Sequence, residues 1–595
     1  MPLIPDRPSD TRRPRKRKSA DQSLKETAEA VVMAFILAFV FRAYIVEAFV
    51  IPTGSMAPTL LGQHVRADCP QCGYRFKTDG GDRSTAGVDL RCPMCFFPIG
   101  TLDENGVPQG TYAGDRILIQ KYLYPFAEPH RFDVAVFKNP QNPYGGSQNY
   151  IKRIVGIPNE TIGFLDGNLY RKPAGTGRWQ VASKVDPAVN PRWEAIQRDV
   201  FQPIYHSRFV PKDGGNGDDR RGLTWSQPWK PLTGDWSYVG PNAGPDPSNP
   251  DAGTPAISAL PGRNFTRTVA THGASAIVRD PNSGDGGDFF VLGSTPDQAA
   301  GLRFDFRPTG GYRADYSSDF ARYAYNQPNG SGLILNWLED LRLAATVRAI
   351  EEKPGDLAVS LGSVYRFKDQ AEAITATVFT RGDAHGIELA RENGDVITSA
   401  RLDRRPFPHR EPVEVEFWIV DHTMLMFIDG REVLRYAADV SFDDLLHRAP
   451  PPRPSEQQIT ITAEGGLVSL HDVELDRDLV YDDGGLIDPQ RGTFPRDHRG
   501  NLVPRRANPV TLGPDQFFCV GDNSPGSEDS RKWPSVHRDV ADAHFGGDRG
   551  PQTHGRVPRN LLMGRAFFVY YPAPSPVTAN GPAIVPNFGE MRFIH

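Results

Sequence analysis

The sequence predicts a mainly β protein of several domains that begins with one apolar helix. Three observations lead there. Short β-branched runs, such as those in GDRILIQKY, RFDVAVF and YIKRIVGI, alternate with Pro, Asn and Gly turns. The 58 Gly and 54 Pro favour turns and loops over helices. One apolar run near the N-terminus breaks the pattern. The length of 595 residues suggests about three or four units. An apolar content of 39% suits a globular protein, and a formal charge of −5 gives no indication of a nucleic-acid partner.

Taken in order, residues 1–27 hold a basic cluster, Arg12, Arg13, Arg15, Lys16, Arg17 and Lys18, among Pro and Ser. This reads as a disordered tail that stays on the cytoplasmic side of an apolar segment. Ala30 to Phe41 carry no charge, Ala43 to Ile51 carry only Glu47, and Arg42 divides the two. The 22 residues from 30 to 51 reach about 33 Å as a helix, enough for a hydrocarbon core of ~30 Å. A transmembrane helix over 28–50 is predicted, with Arg42 and Glu47 near the outer surface, where the arginine can snorkel. The alternatives are a cleavable signal peptide and a buried soluble helix. Ser55-Met56-Ala57 has a small-x-small pattern, but Pro58 directly after it argues against processing there.

The chemistry centres on Ser55 in IVEAFVIPTGSMAPTL, residues 45–60, where Gly54 leaves room for a substrate backbone. A serine hydroxyl needs a base. The candidate is Lys152 in NYIKRIVGIPNETI, where the strand pattern holds the lysine indoors while Arg153 turns to the other face. With an ordinary pKa near ~10.4, a neutral lysine at pH 7 costs about 4–5 kcal/mol unless its surroundings lower the pKa. Burial does so. QFFCVGDNSPGSEDSRKW, residues 516–533, joins a hydrophobic strand to a polar loop suited to placing side chains over a site.

GSMAPTL, GDRILIQKY, RFDVAVFKNP, YIKRIVGIPNETI, GDNSPGSEDSR and the closing VPRNLLMGRAFFVYYP follow one another in an order that resembles bacterial type I signal peptidases. These are membrane-bound Ser-Lys proteases of the peptidase S26 type. The resemblance implies a signal-peptidase-type β catalytic domain, built here from residues 51–64, 110–175 and 505–595. It makes Ser55 the acyl-forming nucleophile and Lys152 the general base. It also implies that Ser527 orients the lysine, that Thr53 forms the oxyanion hole with the Ser55 backbone N–H, and that Asp529 and Arg531 make a supporting ion pair. Ile51, Pro52, Leu60, Tyr150 and Ile151 match positions that line shallow pockets for small residues at −1 and −3 of exported preproteins. No catalytic cofactor is implied. Thr53 adds a methyl to the family's hydroxyl position, Ser524 stands where arginine is common, and large inserts follow Ser55 and Lys152.

The first insert, residues 65–101, places Cys69 and Cys72, then Cys92 and Cys95, as two C-x-x-C knuckles about a β-hairpin. Four thiolates at this spacing form a closed structural zinc site resembling a zinc ribbon. Two disulfides are the alternative in an oxidising compartment. Cys519 has no evident partner and reads as a buried strand residue.

Residues 176–222 read as an irregular linker with aromatic anchors Trp193, Phe201 and Tyr205. Residues 223–482 alternate strand-like runs with turns, as a two-sheet sandwich requires. FWIVDHTMLMFIDGREV and LVSLHDVELDRDLVY resemble concanavalin-like sandwiches. Such an insert suggests a spacer or protein-docking module, or carbohydrate binding; the Asp-rich 282–288 stretch has no EF-hand spacing. The expected function is a membrane-bound serine endopeptidase with its N-terminus in the cytoplasm and its catalytic domain outside. Its partners would be membrane lipid and exported preproteins. The rivals are an inactive peptidase-like scaffold and a lectin-like binding protein anchored in the membrane.

Overall fold

A computed structural model describes residues 20–79, 89–101, 111–144, 149–209, 228–232, 268–304, 340–350, 356–446, 458–481 and 509–594, with short gaps inside these ranges. The basic cluster and the 282–287 loop lie outside the described residues.

The first helix runs Ala20–Tyr44, and Val31, Met33, Phe35, Ile36, Leu37 and Phe39 along it are exposed. Among the described residues no helix is long and apolar enough to cross a membrane. The uncharged stretch between Glu29 and Arg42 is 12 residues, or about 18 Å of helix. The helix predicted over 28–50 is corrected at both ends: it begins at Ala20, inside the 1–27 tail expected to be disordered, and stops at Tyr44. Val46–Val50 is a strand, paired antiparallel with Arg116–Gln120 from Val46↔Gln120 to Val50↔Arg116. Its apolar and β-branched residues suit strand or helix equally, and the partner strand decides.

Among the described residues the sheet that contains Lys152 has eight strands. Its main path runs Val46–Val50, Arg116–Gln120, Leu562–Tyr571, Val134–Lys138, Asn149–Gly156, Gln516–Val520 and Arg556–Pro558. Strands from the two ends of the chain are thus neighbours, and the long insert leaves and re-enters one sheet. A four-stranded sheet adds Gln180–Val181, the hairpin Glu160–Leu165 and Asn168–Pro173, and Val510–Thr511. Gly167 turns that hairpin at φ +85°.

The insert is a sandwich of a nine-stranded and a seven-stranded sheet around one apolar core that includes Val347, Leu361, Val378, Val415, Met426 and Leu470. Asp429 and Gly430, at φ +49° and +71°, make the turn between Thr423–Ile428 and Arg431–Ala437. Residues 176–222, expected to be irregular, contain the helix Trp193–Val200 and the strand Gln202–His206, which pairs with Leu467–Arg477. The sandwich therefore begins by Gln202 rather than at 223. The three aromatic anchors explain this: Phe201 and Trp193 pack on Trp418 at 4.9 and 6.3 Å, and Tyr205 on Trp229 at 6.4 Å.

Candidate active site

Ser55 lies on a single 3-10 turn, Gly54–Met56, entered from an extended Thr53. The turn is packed tightly from behind. A Cβ on Gly62 would meet the Thr53 carbonyl carbon at 2.2 Å, and one on Gly114 the Ile51 carbonyl oxygen at 1.8 Å. Neither position has space for a side chain.

Lys152 comes from the strand Asn149–Gly156, between Val134–Lys138 and Gln516–Val520. Its Nζ donates to Ser55 Oγ at 2.6 Å. Lys152 is 3% exposed, and burial pulls its pKa from 10.5 down to about 8, against the opposing charge of Asp529. With a pKa there, about a tenth of the lysine is neutral at pH 7. The pair therefore has the composition and geometry of an activated nucleophile and its base.

Arg153 leaves the opposite face of the strand but does not reach solvent. Its Nε and Nη2 donate to the two oxygens of Asp522 at 2.8 and 2.7 Å, and Nη1 to the Phe132 carbonyl at 2.8 Å. Asp522 also accepts from Thr59 Oγ1 at 2.5 Å and from Tyr481 Oη at 3.4 Å. Its neighbour Asn523 donates through its backbone N–H to Ser55 O at 3.1 Å and through Nδ2 to Gly54 O at 3.0 Å. A Cβ on Gly521 would meet Ser55 O and Ser527 Oγ, both at 2.3 Å. The 521–523 loop thus holds the nucleophile turn in place. A second cation buried on the lysine strand requires a buried anion, but only the structure shows that Arg153 is buried. Nothing local identified it as Asp522.

Arg531 pairs with Asp529 through Nη2–Oδ2 at 2.6 Å and Nε–Oδ1 at 2.9 Å, and Gly521 N donates to Asp529 Oδ2 at 2.9 Å. Burial alone would raise the Asp529 pKa; the Arg531 charge overrides it and holds the carboxyl below its ordinary value. Ser524 accepts from Arg531 Nη1 through its hydroxyl and from Nη2 through its carbonyl at 3.0 Å. Ser527 is buried beside Gly521, and its hydroxyl helps to lower the Asp529 pKa. Among the described residues its Oγ makes no well-formed hydrogen bond to Lys152.

Thr53 and Pro52 are exposed. Ile51, Leu60 and the half-buried Ile151 share one apolar cluster with Phe49. Tyr150 lies in a neighbouring cluster, stacked on Trp533 at 5.5 Å, with Lys152 Nζ 5.4 Å from its ring centre.

The four knuckle cysteines are buried and free, with their Sγ atoms within 4.8 Å of one another. Cys69–Cys95 and Cys72–Cys92 are 3.5 and 3.6 Å apart. These lengths are near the ~3.8 Å edge of a tetrahedron with ~2.3 Å metal–sulfur bonds, and far above the ~2.05 Å of a disulfide. The donor set fits a soft divalent metal. Cys519 is buried on its strand, and burial raises its thiol pKa.

Residues 94–205 match the family model described as signal peptidase, peptidase S26. The match contains Lys152, while Ser55 and the 516–531 loop come from outside it. Signal peptidase I V of Bacillus subtilis is 39% identical over 57 residues, 10% of this chain and 31% of that protein. Signal peptidase I of Pseudomonas aeruginosa is 29% identical over 140 residues, 23% of this chain and 34% of that protein. The chain thus spans about a third of the length of these relatives. These sequence matches support a signal peptidase core and, at family level, a serine peptidase. Among solved structures, the carbohydrate-binding module CBM66 from Bacillus subtilis is similar at 9% identity with a TM-score of 0.19, covering 34% of this chain and 90% of that one.

Proposed function

We propose that this protein is a signal peptidase I-type serine endopeptidase that removes N-terminal signal peptides from exported preproteins with a Ser55–Lys152 dyad. The observation that carries the reading is the 2.6 Å contact from a buried, carboxylate-free lysine to the serine hydroxyl. Neutral Lys152 accepts the Ser55 proton as Oγ attacks the scissile carbonyl, then returns it to the leaving amine. A water activated by the same lysine resolves the acyl-enzyme. The Ser55 N–H and the Thr53 hydroxyl supply the oxyanion donors. Ser527, buried beside Gly521, orients the lysine as the family resemblance implies. Asp529 with Arg531 supports the loop.

The substrate binds as an extended strand against Ile51, Pro52, Leu60, Tyr150 and Ile151, with small residues at −1 and −3. Zinc on Cys69, Cys72, Cys92 and Cys95 holds the first insert together. The exposed apolar side chains of Ala20–Tyr44 support membrane attachment with the N-terminus inside and the catalytic domain outside. The sandwich acts as a spacer or docking module.

The test is cleavage of an exported precursor with an Ala-x-Ala site by the full-length protein. Cleavage after the small residue by the wild type, with Ser55→Ala and Lys152→Ala both silent, is the expected result. A folded wild-type protein that leaves the precursor intact would overturn it.

A further inference from the structure

The four-cysteine knuckle is not an isolated appendage. The nucleophile segment runs past Gly62 directly into the strand His64–Asp68, which ends at Cys69; the returning strand, Arg75–Asp79, pairs with it through Arg66↔Lys77. Cys69 closes the knuckle by exchanging backbone bonds, its N–H donating to Tyr74 O and its carbonyl accepting from Gly73 N, both at 2.9 Å. Hairpin and C-terminal segment face each other across a cleft of about 710 Å³, whose lining includes Arg66, Lys77, Glu590 and Arg592.

Glu590 spans that cleft. Its Oε2 lies 3.0 Å from Lys77 Nζ and 3.5 Å from Arg66 Nη2. Two residues later Arg592 reaches the far side of the nucleophile turn. Its Nη2 donates to Thr59 O at 2.8 Å and to Asp115 Oδ2 at 3.2 Å, and the same Asp115 oxygen accepts from Leu61 N at 3.1 Å. Thr59 is therefore gripped from both sides, its carbonyl by Arg592 and its hydroxyl by Asp522. The C-terminal strand Arg592–Phe593 is itself short, with two ladder pairs to Leu562–Tyr571. So short an edge strand depends on side-chain anchors to stay in place.

We propose that the zinc-loaded knuckle is a clamp on the nucleophile turn, acting through Glu590 and Arg592, so that metal loading sets how well Ser55 is positioned. The effect on cleavage rests on the peptidase reading above; the mechanical coupling does not. Thiolate ligands hold Cys69 and Cys72 against Cys92 and Cys95, which fixes the hairpin; the hairpin fixes Glu590; and the C-terminal segment then presents Arg592 to Thr59. Glu590 and Arg592 are positioning residues that touch no reacting atom.

The experiment compares the full-length protein as purified, after removal of metal by a zinc chelator with thiols kept reduced, and after zinc is restored. Metal content is measured by mass spectrometry, backbone hydrogen exchange is followed at 53–62 and 587–594, and precursor cleavage is measured in parallel. The expected result is about one zinc per chain. Stripping should speed exchange at both segments and lower kcat by about 10- to 100-fold with little change in KM, and zinc should reverse both effects. Glu590→Ala should keep its zinc yet show fast exchange at 53–62 without stripping. A zinc-free native protein with reduced thiols, or a stripped protein whose 53–62 exchange is unchanged, would overturn the clamp. Should no state cleave the precursor, the peptidase reading falls by itself and exchange still decides the clamp.

Discussion

Two lysines of this protein are equally buried and behave in opposite ways. Lys152 has Ser55 Oγ beside it and, among the described residues, no carboxylate within ion-pair distance; burial takes its pKa down to about 8. Lys184 lies 2.5 Å from Asp421 and 2.9 Å from Asp478, with Asp340 close behind. Burial would depress Lys184 as well, but the carboxylates override it and hold it above its ordinary value. Three buried carboxylates exceed one ammonium. The surplus shows in two of them: burial and the neighbouring carboxylates raise Asp340 well above the carboxylate range, and burial raises Asp421 as well despite Lys184. Lys184 follows the strand Gln180–Val181 of the four-stranded sheet, whereas the aspartates belong to the sandwich, so this cluster joins the insert to the rest of the β fold. Burial alone does not make a lysine a base. What matters is whether the fold supplies counter-charge.

Substitutions at the two sites test the distinction. The largest effect expected is on catalysis: Lys152→Met should lower precursor cleavage by about 10⁴-fold or more, and residual turnover near wild type would remove Lys152 from the mechanism. Next in size, Lys184→Met should destabilise the fold by about 3–5 kcal/mol, because it leaves Asp421 and Asp478 uncompensated. Urea unfolding measures it, and unchanged stability would show that the cluster does not join the two units.

Lys152→Met should do the reverse. A base whose folded pKa is depressed weakens the fold at any pH below its unfolded pKa of 10.5, fully so below about 8. At about 1.4 kcal/mol per pH unit, the substitution should stabilise the protein by about 3 kcal/mol at pH 7, with the gain fading as pH rises from 8 to 10.5. A loss of stability at neutral pH would contradict the cause assigned to the shift. The smallest effect is the pH profile: kcat/KM should rise about tenfold per pH unit below the Lys152 pKa of about 8 and level off above it. A flat profile between pH 6 and 8 would mean that another group is the base.

Much of the site was legible because its motifs are short and local. TGSM, YIKR and GDNSPGSEDS each name a residue type with few chemical uses, and two C-x-x-C pairs mark a thiol cluster by spacing, with zinc and disulfides as its two readings. The partners were not legible. Arg153 was expected on the face opposite Lys152, and alternation tells two faces apart but not whether the second is wet. Asp522 lies 369 positions away, and only the pairing of Asn149–Gly156 with Gln516–Val520 brings it there. The segment Val46–Val50 was assigned to the helix for a related reason: an apolar stretch records burial, and its strand partner decides the backbone.

The sequence by itself determined the β character, the candidate nucleophile and base, and the thiol set. Backbone preference and side-chain chemistry are properties of a few consecutive residues. Only the tertiary structure decided which buried charges are matched. It left Lys152, among the described residues, without a carboxylate at ion-pair distance, matched Arg153 to Asp522 and Lys184 to the sandwich aspartates, and brought Glu590 and Arg592 behind the Ser55 turn. Charge balance in a buried site depends on every strand that reaches it, and in this fold those strands come from opposite ends of the chain.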